Sequence, residues 1–299
     1  MLRQHHRRAT ATELTKMAAH VAALITHPRT SPPSANERLS FQSHRSFATM
    51  TGNDESSLEA IFRQKHSLRS RIRKELKNID PTRPENPNKS IVLSAPWFKY
   101  SESICAYISS PELREVDTSR IVSKILSKPC NGEEGDVVIR RKLYVPRVED
   151  RNSNMRMLRI DSVDDLIVKS MNVLEPALSD AEGKLYEDGN VCSLPDDDFV
   201  VAMDAKDPID LFILPGLAFD RCGRRLGRSG GYYDMFLKKY QKLAKDCKWK
   251  DPLCVALSYS IQIVEEGVIP VTLNDVSVDA LVSPAGFIPI SPAAWNRCA

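Results

Sequence analysis

The sequence predicts an α/β protein with a largely parallel, Rossmann-like sheet flanked by helices, in a single domain after an N-terminal targeting segment. Short apolar runs with strand character alternate along the chain with stretches of helical spacing, a pattern typical of βαβ units. The most apolar run, IDLFILPG at residues 209–216, has the length of one buried strand and ends at a Pro-Gly turn. These two observations place parallel strands at the centre of the predicted fold.

The first half of the folded part begins with an amphipathic helix, whose apolar residues recur at helical spacing until PTRPENPN breaks the pattern. In chain order we predict a helix at 57–79, a helical stretch at 90–98, a strand ICAYIS at 104–109, a helix carrying Ile121, Val122, Ile125 and Leu126, a turn at 131–135 and a strand VVIRRKLYVP at 137–146.

The second half continues with alternating strand and helix signals over residues 157–174. Residues 179–207 are acidic and punctuated by Gly and Pro, and we interpret them as a surface excursion. After the buried strand at 209–216 we predict a glycine-rich loop, a helix at about 231–244, a strand LCVALSYS at 253–260 and a last strand VSVDALVSP at 276–284.

The composition indicates a globular protein. The chain has 299 residues with 42% hydrophobic and 27% charged content, which is ordinary for a folded domain. No run approaches the roughly 18 apolar residues that a membrane-spanning helix requires, so we expect no membrane insertion. The seven cysteines are odd in number and form no CxxC pair, which favours neither a disulfide framework nor a zinc site.

Basic residues are concentrated at the N-terminus. In residues 1–50, seven Arg and Lys face two Glu, a net charge of +5, so the rest of the chain carries −2 of the total +3. A nucleic-acid-binding domain would keep its basic surplus in the folded part, and we therefore expect no nucleic-acid partner. Arg-rich, Ser-rich and acid-poor composition is typical of a transit peptide. We predict a disordered mitochondrial transit peptide at 1–50, with plastid import and a tail lacking any address as the alternatives, and a monomeric domain at 51–299.

A phosphate-binding loop is predicted between the buried strand and the following helix. Glycines allow backbone N–H groups to converge on an anion, and the helix N-terminus adds partial positive charge. Interleaved arginines would repel one another unless an anion is supplied. The loop is neither a Walker A sequence nor a dinucleotide fingerprint. Its glycines are Gly223, Gly227, Gly230 and Gly231, and its arginines are Arg224, Arg225 and Arg228.

The string PGLAFDRCGRRLGRSGGYYDMFL closely resembles the signature of the 5-formyltetrahydrofolate cyclo-ligase family. The resemblance implies ATP as co-substrate and conversion of 5-formyltetrahydrofolate to 5,10-methenyltetrahydrofolate, with ADP and phosphate released after phosphorylation of the formyl oxygen. It also implies that Arg228 is catalytic. Ser229 and Gly230 depart from members that carry Gly-Lys there. The residues implied to bind ATP are Arg225, Leu226, Gly227, Arg228, Ser229, Gly230, Gly231, Tyr232 and Tyr233, and those from Arg228 to Tyr232 are implied to reach the folate as well.

A second segment, KHSLR, is similar to the family's N-terminal ATP-binding pattern. Lys65, Arg69 and Arg73 recur every four residues and so share one helix face. A solvated basic face is the alternative from composition alone. The resemblance implies ATP contacts from Lys65, His66, Ser67, Leu68 and Arg69.

A third segment, AYISSPELREVDTSRI, resembles the family's folate-binding stretch. The resemblance implies pterin contacts from Ile108 and from a glutamate. We choose Glu115 and keep Glu112 as the alternative, because counting from the two ends of the segment gives different positions. Arg147, in YVPR, aligns with a strand that lines the folate cleft.

Magnesium is the cofactor that the resemblance implies, with Asp234 and Asp275 as its ligands. Mg²⁺ in proteins takes one or two carboxylates plus nucleotide phosphates. Without the resemblance, Asp234 would be read as a first-turn helix residue and Asp275 as a turn residue. The alternative functions are a sugar-phosphate isomerase, and a folate- or nucleotide-binding regulator without catalytic activity.

Overall fold

Parallel strands organise the chain in the computed structural model. The structure describes residues 55–79, 88–127, 141–169, 173–177 and 208–298. These residues belong to one compact unit, Asp54–Ala299. Four predicted segments lie outside the described residues: the transit peptide, the turn at 131–135, the start of the strand at 137–146 and the acidic excursion.

The strands are short and mostly buried. They are β1 (Ser103–Ala106), β2 (Lys142–Val148), β3 (Met155–Ile160), β4 (Leu166–Val168), β5 (Leu174–Pro176), β6 (Leu211–Leu214), β7 (Ala218–Phe219), β8 (Arg225–Leu226), β9 (Leu253–Leu257), β10 (Ala280–Ser283) and β11 (Gly286–Pro289).

Seven of these strands form one sheet in the order β11-β10-β9-β6-β1-β2-β3. The strands from β10 through β2 pair in parallel, whereas β11 and β3 pair antiparallel at the two edges. Two antiparallel hairpins, β4–β5 and β7–β8, stand apart from this sheet. The predicted fold class is therefore confirmed in the described part of the chain.

Helices cover both faces of the sheet. They are α1 (Glu55–Leu76), α2 (Asn88–Ser94), α3 (Pro96–Lys99), α4 (Ser119–Leu126), α5 (Tyr232–Asp246) and α6 (Pro292–Asn296), with 3₁₀ turns at Val163–Asp165 and Ser260–Gln262. Among the described residues, no helix has the length and apolar content needed to cross a bilayer.

Alternation along the strands creates two cores. Ile104 and Ile213 face α2, α3 and α4, whereas Cys105 and Phe212 face α5, because successive strand side chains point to opposite faces. Both faces are apolar and buried, which explains why the central strands read as continuous hydrophobic runs rather than as alternating ones.

Helix α1 packs on the β7–β8 hairpin rather than on the main sheet. Its buried residues Leu68 and Ile72 form a third cluster with Leu217, Ala218 and Leu226. This packing fixes α1 beside the glycine-rich loop, since β8 lies within the sequence of that loop.

Three element predictions are wrong in detail. The described residues of the 157–174 stretch, 157–169 and 173–174, form no α-helix: β3 turns back antiparallel on β2, and a 3₁₀ turn leads into the β4–β5 hairpin. The helical stretch at 90–98 is split into α2 and α3, with the break at Ala95 before Pro96, because a residue before proline disfavours the helical conformation. The strand at 276–284 is followed by a further strand, β11, which the sequence did not predict.

Candidate active site

A cavity of about 400 Å³ opens where several parallel strands reach their carboxyl ends. Residues just after β1 and β6 contribute to it, as expected for a ligand site in an open α/β sheet. The β4–β5 hairpin and the glycine-rich loop complete the wall. The lining residues are Tyr107, Ile108, Leu113, Glu115, Pro146, Val148, Met155, Lys169, Val173, Leu174, Glu175, Pro215, Gly216, Arg225, Gly227, Arg228, Ser229, Gly231, Tyr232, Tyr233 and Asp234.

The glycine-rich loop turns sharply before α5. Gly230 and Gly231 have φ of +59° and +68°, a left-handed conformation that residues with a Cβ adopt only under strain. A Cβ at Gly230 would lie 2.5 Å from the Tyr232 ring. The turn between β2 and β3 holds the loop, because the Tyr232 hydroxyl donates to the Asp150 carbonyl at 2.9 Å and the Ser153 hydroxyl donates to the Gly230 carbonyl.

A buried ion pair stabilises the glycine-rich loop. Arg225 Nη2 donates to Asp234 Oδ1 at 2.7 Å, with side-chain exposures of 2% and 11%. The Arg225 guanidinium also lies 5.7 Å from the centre of the Tyr233 ring. Asp234 Oδ1 accepts a second hydrogen bond from the Val276 backbone N–H at 3.1 Å. The pair therefore joins β8, the first turn of α5 and the segment before β10.

The second loop arginine, Arg228, is paired across the cavity. Its Nε donates to Glu115 Oε1 at 3.0 Å, and its Nη2 donates to the Leu113 carbonyl. Burial raises the pKa of the Glu115 carboxyl above its ordinary value, although Arg228 and the Ser110 backbone N–H act to lower it. Glu115 lines the cavity, whereas Glu112 is exposed. This placement favours Glu115 over Glu112.

The basic face of α1 lies against the same loop. Lys65 Nζ contacts both carboxylate oxygens of Asp275 at 2.6 Å. Arg69 Nε donates to the Gly227 carbonyl at 2.9 Å, and Arg73 Nη2 donates to the Arg228 carbonyl at 2.7 Å. The solvated-face alternative is therefore wrong for Lys65 and Arg69, which are buried and partly buried, whereas Arg73 is exposed and contacts the loop through its guanidinium.

The remaining residues of the KHSLR segment differ in burial. Leu68 is buried in the cluster that α1 forms with β7–β8, which is a packing role. His66 and Ser67 are exposed. Their implied contacts with ATP stay predictions.

Asp234 and Asp275 differ as potential Mg²⁺ ligands. Both described hydrogen bonds to Asp234 are accepted by Oδ1, which leaves Oδ2 as a ligand atom on a residue that lines the cavity. Both oxygens of Asp275 are taken, by Lys65 and by the hydroxyl and backbone N–H of Thr272. No group of three or more metal-ligating side chains occurs among the described residues. The residues fit an ion held mainly by nucleotide phosphates with one protein carboxylate.

Arg147 is not part of the cavity lining. Its Nη1 donates to the Pro176 carbonyl at 2.5 Å, and its Nε lies 3.7 Å from Glu149. The first of these bonds attaches β2 to β5. The contact with folate that the family resemblance implies for Arg147 stays a prediction.

The cavity also contains a carboxylate that sequence reasoning missed. Glu175, on β5, lines the cavity and is 9% exposed. The only local signal was a glutamate between Leu174 and Pro176 in an apolar stretch. Lys169, on the same hairpin, also lines the cavity and was likewise missed.

The fold and the cavity define a class of α/β protein, with a ligand cavity at the carboxyl edge of a parallel sheet beside a glycine-rich loop and a helix N-terminus. The sequence profile of the 5-formyltetrahydrofolate cyclo-ligase family matches residues 61–284. The chain belongs to this family.

Similar proteins agree with this assignment. A protein of Arabidopsis thaliana named "5-formyltetrahydrofolate cyclo-ligase, mitochondrial" is 54% identical over 247 residues, 82% of each chain. The 5-formyltetrahydrofolate cyclo-ligase of Mus musculus is 26% identical over 74% of this chain and 95% of its own. The NMR structure of 5,10-methenyltetrahydrofolate synthetase from Aquifex aeolicus matches with a TM-score of 0.52 at 26% identity, covering 76% of this chain and 92% of that one.

Proposed function

We propose that this protein catalyses the ATP-dependent closure of 5-formyltetrahydrofolate to 5,10-methenyltetrahydrofolate, an activity of folate one-carbon metabolism. Family membership supports the reaction. At the residue level, the proposal is carried by contacts among the three segments that resemble the family. Helix α1 braces the glycine-rich loop, and Arg228 of that loop is bonded to Glu115, which lies in the segment that resembles the family's folate-binding stretch.

The reaction requires activation of a poor electrophile. A formamide carbonyl does not expel its oxygen readily, whereas transfer of the γ-phosphoryl group of ATP to that oxygen creates a good leaving group. Nitrogen 10 of the folate then attacks the formyl carbon, and phosphate departs. Phosphoryl transfer depends mainly on positioning and charge stabilisation, so the protein needs no side-chain nucleophile.

The glycine-rich loop is suited to binding the phosphates of ATP. Gly227, Ser229 and Gly231 line the cavity beside the N-terminus of α5, where backbone N–H groups and the helix dipole favour an anion. Arg228 is the charged side chain that we propose stabilises the transferring group. The apolar wall around Ile108, with Glu115 as hydrogen-bond acceptor, is suited to the pterin.

Mg²⁺ is the proposed metal. When bound it would neutralise the phosphate charge and hold the transferring group in place. We propose that Asp234 contacts it, since one of its oxygens has no described partner. Asp275, which the family resemblance also implies as a ligand, would then act chiefly by holding Lys65.

Direct assay of the purified protein tests the function. We expect 5-formyltetrahydrofolate to be converted to a product that absorbs in the near ultraviolet when ATP and Mg²⁺ are both present, and not when either is omitted. ATP binding without turnover would instead support the non-catalytic regulator.

The role of Arg228 is tested by Arg228→Ala. We expect turnover to fall far more than folate affinity, because the guanidinium would act on the charge that develops during phosphoryl transfer. Equal losses in turnover and folate affinity would reduce Arg228 to a binding residue.

Mitochondrial import is proposed from the basic N-terminal segment and from the name of the Arabidopsis relative. A fluorescent reporter fused to residues 1–50 should enter mitochondria, and a cytosolic signal would contradict the proposal. We also propose that the enzyme acts as a monomer, which light scattering of the purified chain would test.

A further inference from the structure

We propose that Glu175 is the carboxylate that takes the proton from nitrogen 10 during ring closure. The inference depends on the proposed cyclo-ligase function and adds a proton acceptor to it. Ring closure converts a secondary amine into part of an amidinium cation, so the amine proton must be removed within the site.

The position of Glu175 suits this task. The residue lies on β5, which packs against β2, and it lines the cavity while being only 9% exposed. A carboxylate at this position would lie beside a ligand bound in the cavity. Arg147 fixes the strand, because its Nη1 donates to the carbonyl of the next residue, Pro176, at 2.5 Å.

The other carboxylates of the cavity are already engaged. Asp234 is paired with Arg225 at 2.7 Å and Glu115 with Arg228 at 3.0 Å. Within the described part of the chain, Glu175 has no ion-pair partner within 4.0 Å. Arg225 and Arg228 stabilise the ionised forms of Asp234 and Glu115 and occupy an oxygen of each. Of the three carboxylates that line the cavity, Glu175 is therefore the one without an arginine bonded to it in the described part of the chain.

The surroundings of Glu175 make it a stronger base than an exposed glutamate. Burial raises the pKa of its carboxyl, and the neighbouring Glu149 acts in the same direction. The Val148 backbone N–H, Lys169 and Arg147 act to lower that pKa without cancelling the effect of burial. Tyr233 lies within electrostatic range as well, since Glu175 contributes to raising its pKa, although burial is the largest cause. A base whose pKa lies nearer to neutral pH transfers protons more effectively.

The proposed step conserves atoms and charge. The lone pair of nitrogen 10 forms a bond to the phosphorylated formyl carbon, and the N–H proton passes to a carboxylate oxygen of Glu175. The carbon–oxygen bond then breaks with its electron pair on the departing phosphate, which leaves the amidinium cation of the product. Glu175 releases its proton to solvent, and its restored carboxylate lies near the positive product.

Glu175→Gln tests the proposal in the full chain, with Glu102→Gln as the control. Glu102 is exposed, lies directly before the amino end of β1 and does not line the cavity. We expect kcat of Glu175→Gln to fall by about 10²- to 10⁴-fold, the usual contribution of a general base, with little change in KM for either substrate. Glu102→Gln should retain the original kcat, and matching thermal unfolding curves would verify that both variants are folded.

Two further readouts separate proton transfer from a structural role. In the unaltered protein, kcat should rise with pH through the pKa of Glu175, and Glu175→Gln should lose that dependence. Positional isotope exchange in ATP labelled at the β–γ bridge should persist in Glu175→Gln, because phosphoryl transfer precedes the blocked step. Loss of exchange together with turnover would overturn the proposal.

The outcomes also separate this inference from the proposed function. Absence of turnover in the unaltered protein would reject the function itself, whereas equal kcat in the unaltered protein and Glu175→Gln would reject Glu175 alone. If Glu175→Gln does not fold, Glu175→Asp decides the matter, since a shortened carboxylate should lower kcat while keeping the pH dependence. A Glu175→Asp variant with unchanged kcat or without that pH dependence would overturn the proposal.

Discussion

The arginines of the glycine-rich loop lie next to carboxylates of the same protein. The sequence places three arginines close together and indicates that an anion must balance them. The structure provides internal anions: Arg225 is paired with Asp234 and Arg228 with Glu115, while Arg224 lies 3.9 Å from Asp220. Because these carboxylates already neutralise much of the loop, the proposed attraction for phosphate would come more from its backbone amides than the arginine count indicates.

The buried Arg225–Asp234 pair yields a prediction about stability. Asp234→Asn should reduce the free energy of unfolding by about 3–5 kcal/mol, since it leaves a buried guanidinium without its counter-charge. Denaturant unfolding followed by circular dichroism measures this loss.

A double variant is the control for that prediction. Arg225→Met combined with Asp234→Asn should regain part of the lost stability, because no uncompensated charge stays buried. A double variant less stable than Asp234→Asn would show that packing of Arg225 against Tyr233 matters more than the charge.

At the scale of elements, α1 acts as a brace for the loop. Its apolar face packs on β7–β8 through Leu68 and Ile72, and its basic face reaches Asp275 and the loop carbonyls. The same helix therefore sets the position of the loop relative to the hairpin that precedes it and the segment that leads into β10.

The attachment of α1 should weaken in acid. Burial acts to raise the pKa of Asp275, but hydrogen bonds from Lys65 and Thr272 lower it overall from its ordinary value of 3.8. A lowered native pKa means that the carboxylate contributes stability above its unfolded pKa, and the contribution is lost as pH falls through the folded pKa. The stability difference between the unaltered protein and Asp275→Asn should thus be large at neutral pH and shrink below about pH 4. A difference that is the same at both pH values would contradict this assignment.

The turn that begins α5 should be sensitive to backbone strain. Gly231→Ala should destabilise the protein by about 1–2 kcal/mol, the cost of a left-handed residue with a Cβ, because φ is +68° while no atom lies within 4 Å of the added Cβ.

Gly227→Ala is the matched control for the turn. Its Cβ would meet Arg225 Nη1 at an ordinary 3.6 Å, and its φ lies outside the left-handed range. We expect a smaller shift in melting temperature, and equal shifts for the two variants would show that the left-handed turn is not the cause.

At the scale of the whole molecule, parallel pairing gathers the site at one edge of the sheet. Segments after β1 and β6, and the carboxyl end of β2 itself, reach the same cavity because the carboxyl ends of these parallel strands point in one direction. The antiparallel edge strand β3 and the β4–β5 hairpin close one side and bring Glu175 into the wall.

The folded unit should be independent of the N-terminal segment. Removal of residues 1–50 should leave the melting temperature and kcat unchanged, since the compact unit begins at Asp54 and the family profile at residue 61. Calorimetry and the turnover assay test this, and a lower melting temperature in the shortened chain would indicate contacts from the removed segment.

Local pattern predicted much of the fold and part of the site. The central strands and α1, α4 and α5 follow from hydrophobic spacing, which depends on near neighbours in sequence. The glycine-rich loop was likewise identifiable, because glycines between a strand and a helix restrict what the backbone can do. The antiparallel return of β3 and the existence of β11 were not predicted, since the period of a strand does not reveal the direction of its partner.

The sequence by itself thus determined the fold class, the family and the position of the loop and its bracing helix along the chain. Tertiary structure alone decided the pairings that define the chemistry: Arg228 meets Glu115 across 113 positions, and Lys65 meets Asp275 across 210. It also bonded Arg147 to β5 and placed Glu175 in the cavity wall. The physical reason is that hydrophobic period records which face of an element is buried, whereas the contacts of a polar side chain depend on elements that are distant in sequence and adjacent only after folding.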